Sequence, residues 1–116
     1  KKYSDAGDFE TAASIIIPEE DLDSDSTLTL LSYRGKARFK TGNYKGAIAD
    51  FTLIINHDGK KNTPYYMVWI NSYFNRGTSK YLMNDLKGAC LDWRKAIELG
   101  LSDPTALQYI NSYCEN

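Results

Sequence analysis

The chain has 116 residues, of which 42% are hydrophobic and 25% charged, a composition that fits one small globular domain. Its 14 basic and 15 acidic residues leave a net charge of −1, so no overall field favours nucleic acid or an anionic membrane surface. The longest apolar stretch, residues 65–70, is far shorter than the roughly 20 residues that cross a bilayer, and we expect no membrane insertion.

An internal repeat organises the predicted elements. Shifting the chain by 42 positions superposes Leu28 on Ile70 and Gly35 on Gly77, and matching residues continue along both copies. A shift of 35 positions, which superposes Gly7 on Gly42, finds a partial copy upstream. We therefore predict a single domain made of a partial repeat over residues 1–24, full repeats over 25–62 and 63–101, and a final helix over 103–114.

Each full copy is predicted to form a helix, a tight turn and a second helix. Apolar residues 44, 47, 48, 51, 54 and 55 recur at the spacing of one helix face. A Gly-Asn or Asn-Asp pair precedes this face in each copy; its first residue suits a helix end and its second suits a helix start. Gly35 and Gly77 in the first helices would allow close approach to Ala47 and Ala89, and the extra residues within 56–67 predict an enlarged loop.

The final segment is predicted to cap the last repeat. Asp103 and Pro104 suit a helix start, and Leu107, Ile110 and Cys114 form a short apolar stripe. Cys114 would then face Cys90 of the last repeat. Two interpretations stay open: a disulfide closing a loop of about 25 residues, which indicates an oxidising compartment, or two reduced thiols packed as small hydrophobic side chains.

Residues 33–37, 42–44, 47–51 and 75–77 resemble the signature of the tetratricopeptide repeat family, and residues 89–96 resemble its second helix. The resemblance covers nearly the whole chain and implies an all-α fold, an α-solenoid of stacked helix pairs with a C-terminal capping helix. It also implies a non-catalytic module that binds a protein or peptide on the concave surface of the stack. The residues expected to line that surface are Ser32, Lys36, Phe39, Lys40, Asn71, Phe74, Asn75, Thr78 and Tyr81.

Within this expected surface, Phe74 would be an exposed aromatic hot spot, and Lys36 and Lys40 would pair with an acidic partner segment. Two alternatives are self-association through the uncovered N-terminal edge and an accessory role in a larger protein. Residues 89–93 and the ending at 113–114 resemble the last repeat of exported bacterial members of the family. That likeness implies a periplasmic, cell-envelope or secreted setting.

Other kinds of site find little support in the sequence. Asp21, Asp23 and Asp25 alternate like the start of a calcium loop, but Ser26 stands where that loop needs glycine. His57, the only histidine, has no partners at the spacing of a catalytic triad or a metal site. We therefore predict no catalytic residues, no metal and no cofactor.

Basic residues crowd the first helix of the first full copy, and one interpretation is contact with phosphate groups. The interpretation that we favour is a solvated basic face, because side chains spread around a helix in this way usually contact water. We therefore predict no nucleic-acid partner. The basic residues are Arg34, Lys36, Arg38 and Lys40.

Overall fold

The computed structural model describes residues 12–14, 16–17, 25–57 and 65–114. All regular secondary structure within these ranges is helical, which confirms the predicted all-α class. Helix α1 pairs with α2 and α3 with α4, while α2 packs on α3 and α5 packs on α4. The five helices are α1 (Asp25–Lys40), α2 (Tyr44–Ile55), α3 (Tyr65–Leu82), α4 (Leu86–Glu98) and α5 (Pro104–Tyr113).

Some sequence predictions fall outside the described residues. They concern most of the partial repeat over 1–24, the acidic residues Asp21 and Asp23, and residues 58–64 of the enlarged loop. The described part of the first segment packs on the helices, because Ala12 is fully buried and the carbonyl oxygen of Ala13 accepts a hydrogen bond from Arg38 Nε at 3.4 Å. Self-association through the N-terminal edge stays a prediction.

The turns inside the two helix pairs are built alike. Gly42 and Asn84, which the 42-residue shift superposes, both have positive φ, at 88° and 67°. Glycine adopts this left-handed backbone freely, and asparagine does so more readily than most other residues. The following residue then caps the next helix by accepting a backbone N–H at 2.9 Å, Asn43 from Gly46 and Asp85 from Gly88.

Each pair closes over a glycine of its first helix. A Cβ atom built on Gly77 would lie 2.9 Å from Trp93 Cδ1 and 3.0 Å from the Ala89 carbonyl oxygen, and one on Gly35 would lie 2.8 Å from Phe51 Cε1. The expected close approach is therefore present at both glycines. At Gly35, however, the neighbour is the ring of Phe51 rather than Ala47, because the ring covers that glycine.

A buried carboxylate ties the two helices of each pair together. Asp50 accepts hydrogen bonds from Arg34 at 2.7 and 2.9 Å and from Arg38 at 3.2 Å. Arg34 and Arg38 are therefore ion-paired and partly buried, which corrects the prediction that they belong to a solvated basic face. Charged hydrogen bonds of this two-point geometry are among the strong ones in proteins.

The second helix pair repeats this ion pair. Asp92 accepts two hydrogen bonds of 2.8 Å from Arg76 and lies 3.2 Å from the Lys80 ammonium group. The hydrogen bond to Asp92 raises the pKa of Arg76, against a smaller lowering by burial. Arg76 also donates to Thr52 Oγ1 of α2 at 3.1 Å, so one guanidinium joins its own helix pair to the preceding one.

The hydrophobic core has two parts, one in the first helix pair and one under α5. The second part includes Trp93 and Ile110. Ile110 and Ala106 are the buried residues of α5, whereas Leu107 is 53% exposed. The predicted covering stripe was therefore wrong at Leu107, because the face of α5 that meets α4 runs through residues 106, 110 and 114. The first part consists of Leu28, Leu31, Ala47, Phe51, Ile54 and Tyr65.

Candidate functional site

A cleft of about 240 Å³ opens where the first helices α1 and α3 meet α5. Five of its seven lining residues are aromatic, and they come from all four helices that border the cleft. An aromatic lining of this kind combines a large apolar contact area with a few polar atoms at its edge. The lining residues are Phe39 of α1, Thr78, Tyr81 and Leu82 of α3, Trp93 of α4, and Tyr109 and Tyr113 of α5.

Trp93 connects the cleft to the core. Its side chain is 1% exposed, and its Nε1–H donates a hydrogen bond to Thr78 Oγ1 at 3.2 Å. The ring centroid of Trp93 lies 5.2 Å from that of Tyr109 and 5.9 Å from that of Tyr81. These separations fall in the range of favourable aromatic pairs, so the ring packing fixes the positions of the walls.

Tyr81 of α3 and Tyr113 of α5, at the edge of the cleft, contact each other. Their ring centroids are 4.7 Å apart, the shortest aromatic separation in the described part of the chain. The hydrogen bond with Tyr113 raises the pKa of Tyr81 above its ordinary value of 10.0, with a smaller contribution from burial. The Tyr81 phenol is therefore neutral near pH 7, and the cleft has an uncharged wall there.

No protein-family model, curated protein or solved structure matches this chain.

Among the described residues, the charged side chains of α1 and α3 nearest the cleft are basic. Lys36 and Lys40 are exposed on α1, and Phe39 of the cleft lies three residues after Lys36 and directly before Lys40. Residues three or four apart share a helix face, so Lys36 lies on the side of α1 that carries Phe39, and Lys40, four residues after Lys36, lies next to Lys36. Lys80 of α3 precedes Tyr81 but is bound to Asp92. The rim on the α1 side therefore carries a local positive charge.

The structure brings only part of the predicted binding surface to the cleft. Phe39, Thr78 and Tyr81 line it, and Lys36 and Lys40 stand beside it. Sequence reasoning missed Leu82, Trp93, Tyr109 and Tyr113. Trp93 lies within residues 89–96, which the sequence predicts only as a second helix of a repeat. Tyr109 and Tyr113 lie in a helix predicted only as a cap, although their spacing places both on one face of α5.

The remaining predicted surface residues lie elsewhere. Ser32 is only 8% exposed, so its side chain is not accessible to a partner, which corrects that assignment. Phe74 is half-buried and stacks on Tyr109, with centroids 6.0 Å apart and ring planes 12° apart. This contact corrects the expectation of an open aromatic hot spot at Phe74, because α5 covers it. Asn71 and Asn75 are half-buried on α3.

Within the described residues, His, Cys, Asp and Glu form no group of three or more that could hold a metal ion. His57 lies at the end of α2, where its Nδ1 is 2.8 Å from the carbonyl oxygen of Leu53. None of the helices in the described ranges has the length and hydropathy that a membrane-spanning segment requires.

Cys90 and Cys114 hold the last turn of α5 against α4. Their sulfur atoms lie at disulfide-bonding distance, and their Cα atoms are 5.9 Å apart. Cys114 directly follows Tyr113 of the cleft and ends α5, with its N–H bonded to the Ile110 carbonyl oxygen at 2.9 Å. A bond at this position therefore holds one wall of the cleft in place.

We expect reduction of this cysteine pair to lower the free energy of unfolding by about 3 kcal/mol, because the bond closes a loop across 24 positions and restricts the unfolded chain. Urea unfolding with and without a reducing agent measures the loss. A double variant, Cys90→Ala with Cys114→Ser, is the control in which the reducing agent should have no effect. Intact mass after alkylation without prior reduction should show no modified thiols; two alkylated thiols would contradict the bridge.

Proposed function

We propose that this chain is a tetratricopeptide-type repeat module that binds a protein or peptide segment, without catalysis, in the cleft between α1, α3 and α5. The observation that carries the proposal is the aromatic lining of that cleft, which the first helices and α5 supply together. Binding hot spots are enriched in aromatic residues that sit in well-packed pockets surrounded by other contacts. Tyr81, Tyr109 and Tyr113 have this arrangement around Trp93.

The repeat geometry supports the tetratricopeptide-type assignment. The 42-residue shift relates the turns at Gly42 and Asn84, the close approaches at Gly35 and Gly77, and the two buried ion pairs. Stacked helix pairs of this kind present a continuous surface of first helices to a partner. The cleft lies on α1 and α3, the first helices of their pairs, and α5 extends that surface.

The size of the cleft favours a side chain of a larger partner over a small molecule. Pockets that enclose drug-sized ligands have volumes of about 300–1,000 Å³. The cleft has about 240 Å³, and a bound segment would continue beyond it along the helix surfaces. The proposed partner is therefore a polypeptide that places a side chain in the cleft and makes further contacts outside it.

Selection from a phage-displayed library of random 12-residue peptides tests this function. The test variant is Leu82→Ser, which changes a lining residue that is 43% exposed and whose substitution should not unfold the domain. The matched control is Leu91→Ser on α4, which removes an apolar side chain that is 63% exposed and does not line the cleft. Both variants make the same chemical change at a helix surface.

We expect the wild-type protein to enrich peptides that bind the Leu91→Ser variant equally well and the Leu82→Ser variant at least about fivefold more weakly, a loss of about 1 kcal/mol. Isothermal titration calorimetry with the synthetic peptides gives the ratio. A failure to enrich any peptide, or equal binding by both variants, would contradict a peptide-binding role for this cleft.

A further inference from the structure

We propose that the segment bound in the cleft is an acidic peptide that inserts one aromatic or large aliphatic side chain between the tyrosines and places carboxylates against Lys36 and Lys40. This inference rests on the proposed function and specifies its partner. Two properties of the site support it separately: the Thr78 hydroxyl and the Trp93 indole N–H inside the cleft bond to each other, and the charge on its α1 side is positive.

The interior of the cleft suits an apolar group. The Thr78 hydroxyl accepts the Trp93 N–H and donates to the Phe74 carbonyl oxygen at 3.1 Å, so its donor and one acceptor site are used. The rings of Tyr81 and Tyr113 pack against each other, with centroids 4.7 Å apart. A polar side chain buried there would compete with these bonds, whereas an apolar side chain gains contact with five aromatic rings and Leu82.

The charge on the three helices that form the face has one sign. From residue 26 to the end of α1, and throughout α3, every charged residue is basic, and α5 has no charged residue. Asp25, at the first position of α1, lies 14 residues or about 21 Å along the helix from Phe39. The charged residues are Arg34, Lys36, Arg38, Lys40, Arg76 and Lys80.

Four of these six charges are ion-paired inside the helix pairs, two to each buried carboxylate. Arg34 and Arg38 are bound to Asp50, and Arg76 and Lys80 to Asp92. Lys36 and Lys40 are exposed and have no ion pair within the described part of the chain. Their charges are therefore available to a partner, and an acidic segment that crosses α1 beside Phe39 would meet both of them.

A cationic ligand is the alternative that aromatic walls suggest, because ring faces attract ammonium and guanidinium groups. The charges around the cleft oppose it. Lys40 adjoins Phe39, and Asp92, the carboxylate next to Trp93 in sequence, is already bound to Arg76 and Lys80. A cation entering the cleft would meet positive charge on the α1 side. Neither α3 nor α5 contains an Asp or Glu that could offset it.

Three blocked heptapeptides test the inference on the full chain: Gly-Glu-Glu-Phe-Glu-Glu-Gly, the same peptide with Lys replacing Glu, and the acidic peptide with Ala replacing Phe. The two tryptophans provide an internal control in ¹H–¹⁵N spectra. The Trp93 indole N–H lies beside the cleft, whereas that of Trp69 is bonded to the Ile55 carbonyl oxygen at 3.1 Å. A Trp69→Phe variant assigns the two signals.

We expect the acidic Phe peptide to shift the Trp93 signal saturably and leave that of Trp69 in place, with affinity at least about tenfold above the Lys and Ala peptides. The double variant Lys36→Glu with Lys40→Glu reverses the charge beside the cleft and should remove that preference for acidic over basic peptides. The matched control, Lys45→Glu with Lys87→Glu, makes the same net charge change at exposed positions of α2 and α4, and should retain the preference. A higher salt concentration should weaken the binding of the acidic peptides only.

The outcomes separate this inference from the proposed function. Equal binding of the acidic and basic Phe peptides, or an equal effect of the two charge reversals, would overturn the acidic partner while leaving a peptide-binding cleft. Library peptides that depend on Leu82 but carry no excess of acidic residues would do the same. If the library yields no peptide that depends on Leu82, the proposed function itself fails.

Discussion

We expect Trp93→Ala to lower the free energy of unfolding by about 3–5 kcal/mol, the range found when large buried aromatic side chains are truncated. The Trp93 ring covers Gly77 and contacts Tyr81, Tyr109 and Tyr113, so its removal leaves a cavity at the meeting point of α3, α4 and α5. A domain of this size has a total stability of about 5–15 kcal/mol. Urea unfolding followed by far-UV circular dichroism measures the change.

The conservative variant Trp93→Phe separates the cavity from other effects. Phe51 fills the equivalent position of the first helix pair, where it covers Gly35 as Trp93 covers Gly77. We expect Trp93→Phe to cost less than about 1.5 kcal/mol because most of the apolar volume remains. If Trp93→Phe and Trp93→Ala lower the free energy of unfolding equally, lost packing against Gly77 does not explain the destabilisation by Trp93→Ala.

We expect Asp92→Ala to cost about 3–5 kcal/mol as well, for an electrostatic reason. The substitution leaves the partly buried Arg76 guanidinium and the Lys80 ammonium group without the carboxylate that both contact. Removing one partner of a buried pair is costly because the other charge stays away from water. Asp50→Ala should have a comparable effect through Arg34 and Arg38 in the first pair.

Two controls accompany this second prediction, measured by the same urea unfolding. Glu98→Ala breaks an exposed pair with Lys95 at 3.7 Å and should change stability by no more than about 0.5 kcal/mol. Arg76→Met combined with Asp92→Leu removes the two most buried members of the group, leaves Lys80, and should recover a large part of the loss. A loss below about 1 kcal/mol for Asp92→Ala would show that the buried carboxylate does not hold the helices together.

The helix pairs could be predicted because their signals are local or repeat along the chain. Gly42 with Asn43 and Asn84 with Asp85 combine a left-handed residue with an N-cap, and both act in this way in the structure. The all-α class follows from such signals together with helical spacing. The repeat also showed that Arg34 and Asp50 have counterparts 42 positions later.

The ion pairs themselves could not be read from the same pattern. Arg34 and Asp50 are 16 residues apart, and only the packing angle of α1 against α2 brings their side chains into contact. Charges spaced around a helix have the same sequence pattern whether they face water or a neighbouring helix. The single histidine and the alternating aspartates likewise gave no indication of a functional site.

The cleft depends on a tertiary contact that the sequence does not specify. The rotation of α5 about its own axis decides whether Leu107 or Tyr109 and Tyr113 meet the last helix pair, and each choice presents a plausible apolar face. The structure places Leu107 at the surface and the two tyrosines against Trp93. Trp93 is thus both a core residue and part of the cleft.

Intermolecular nuclear Overhauser effects between a library-selected peptide and methyl-labelled protein show directly whether the peptide occupies the cleft. The cleft predicts contacts from the peptide's apolar side chain to the Leu82 methyl groups and to the rings of Tyr109 and Tyr113. Contacts confined to Leu91 and Leu107, which are exposed outside the cleft, would contradict it.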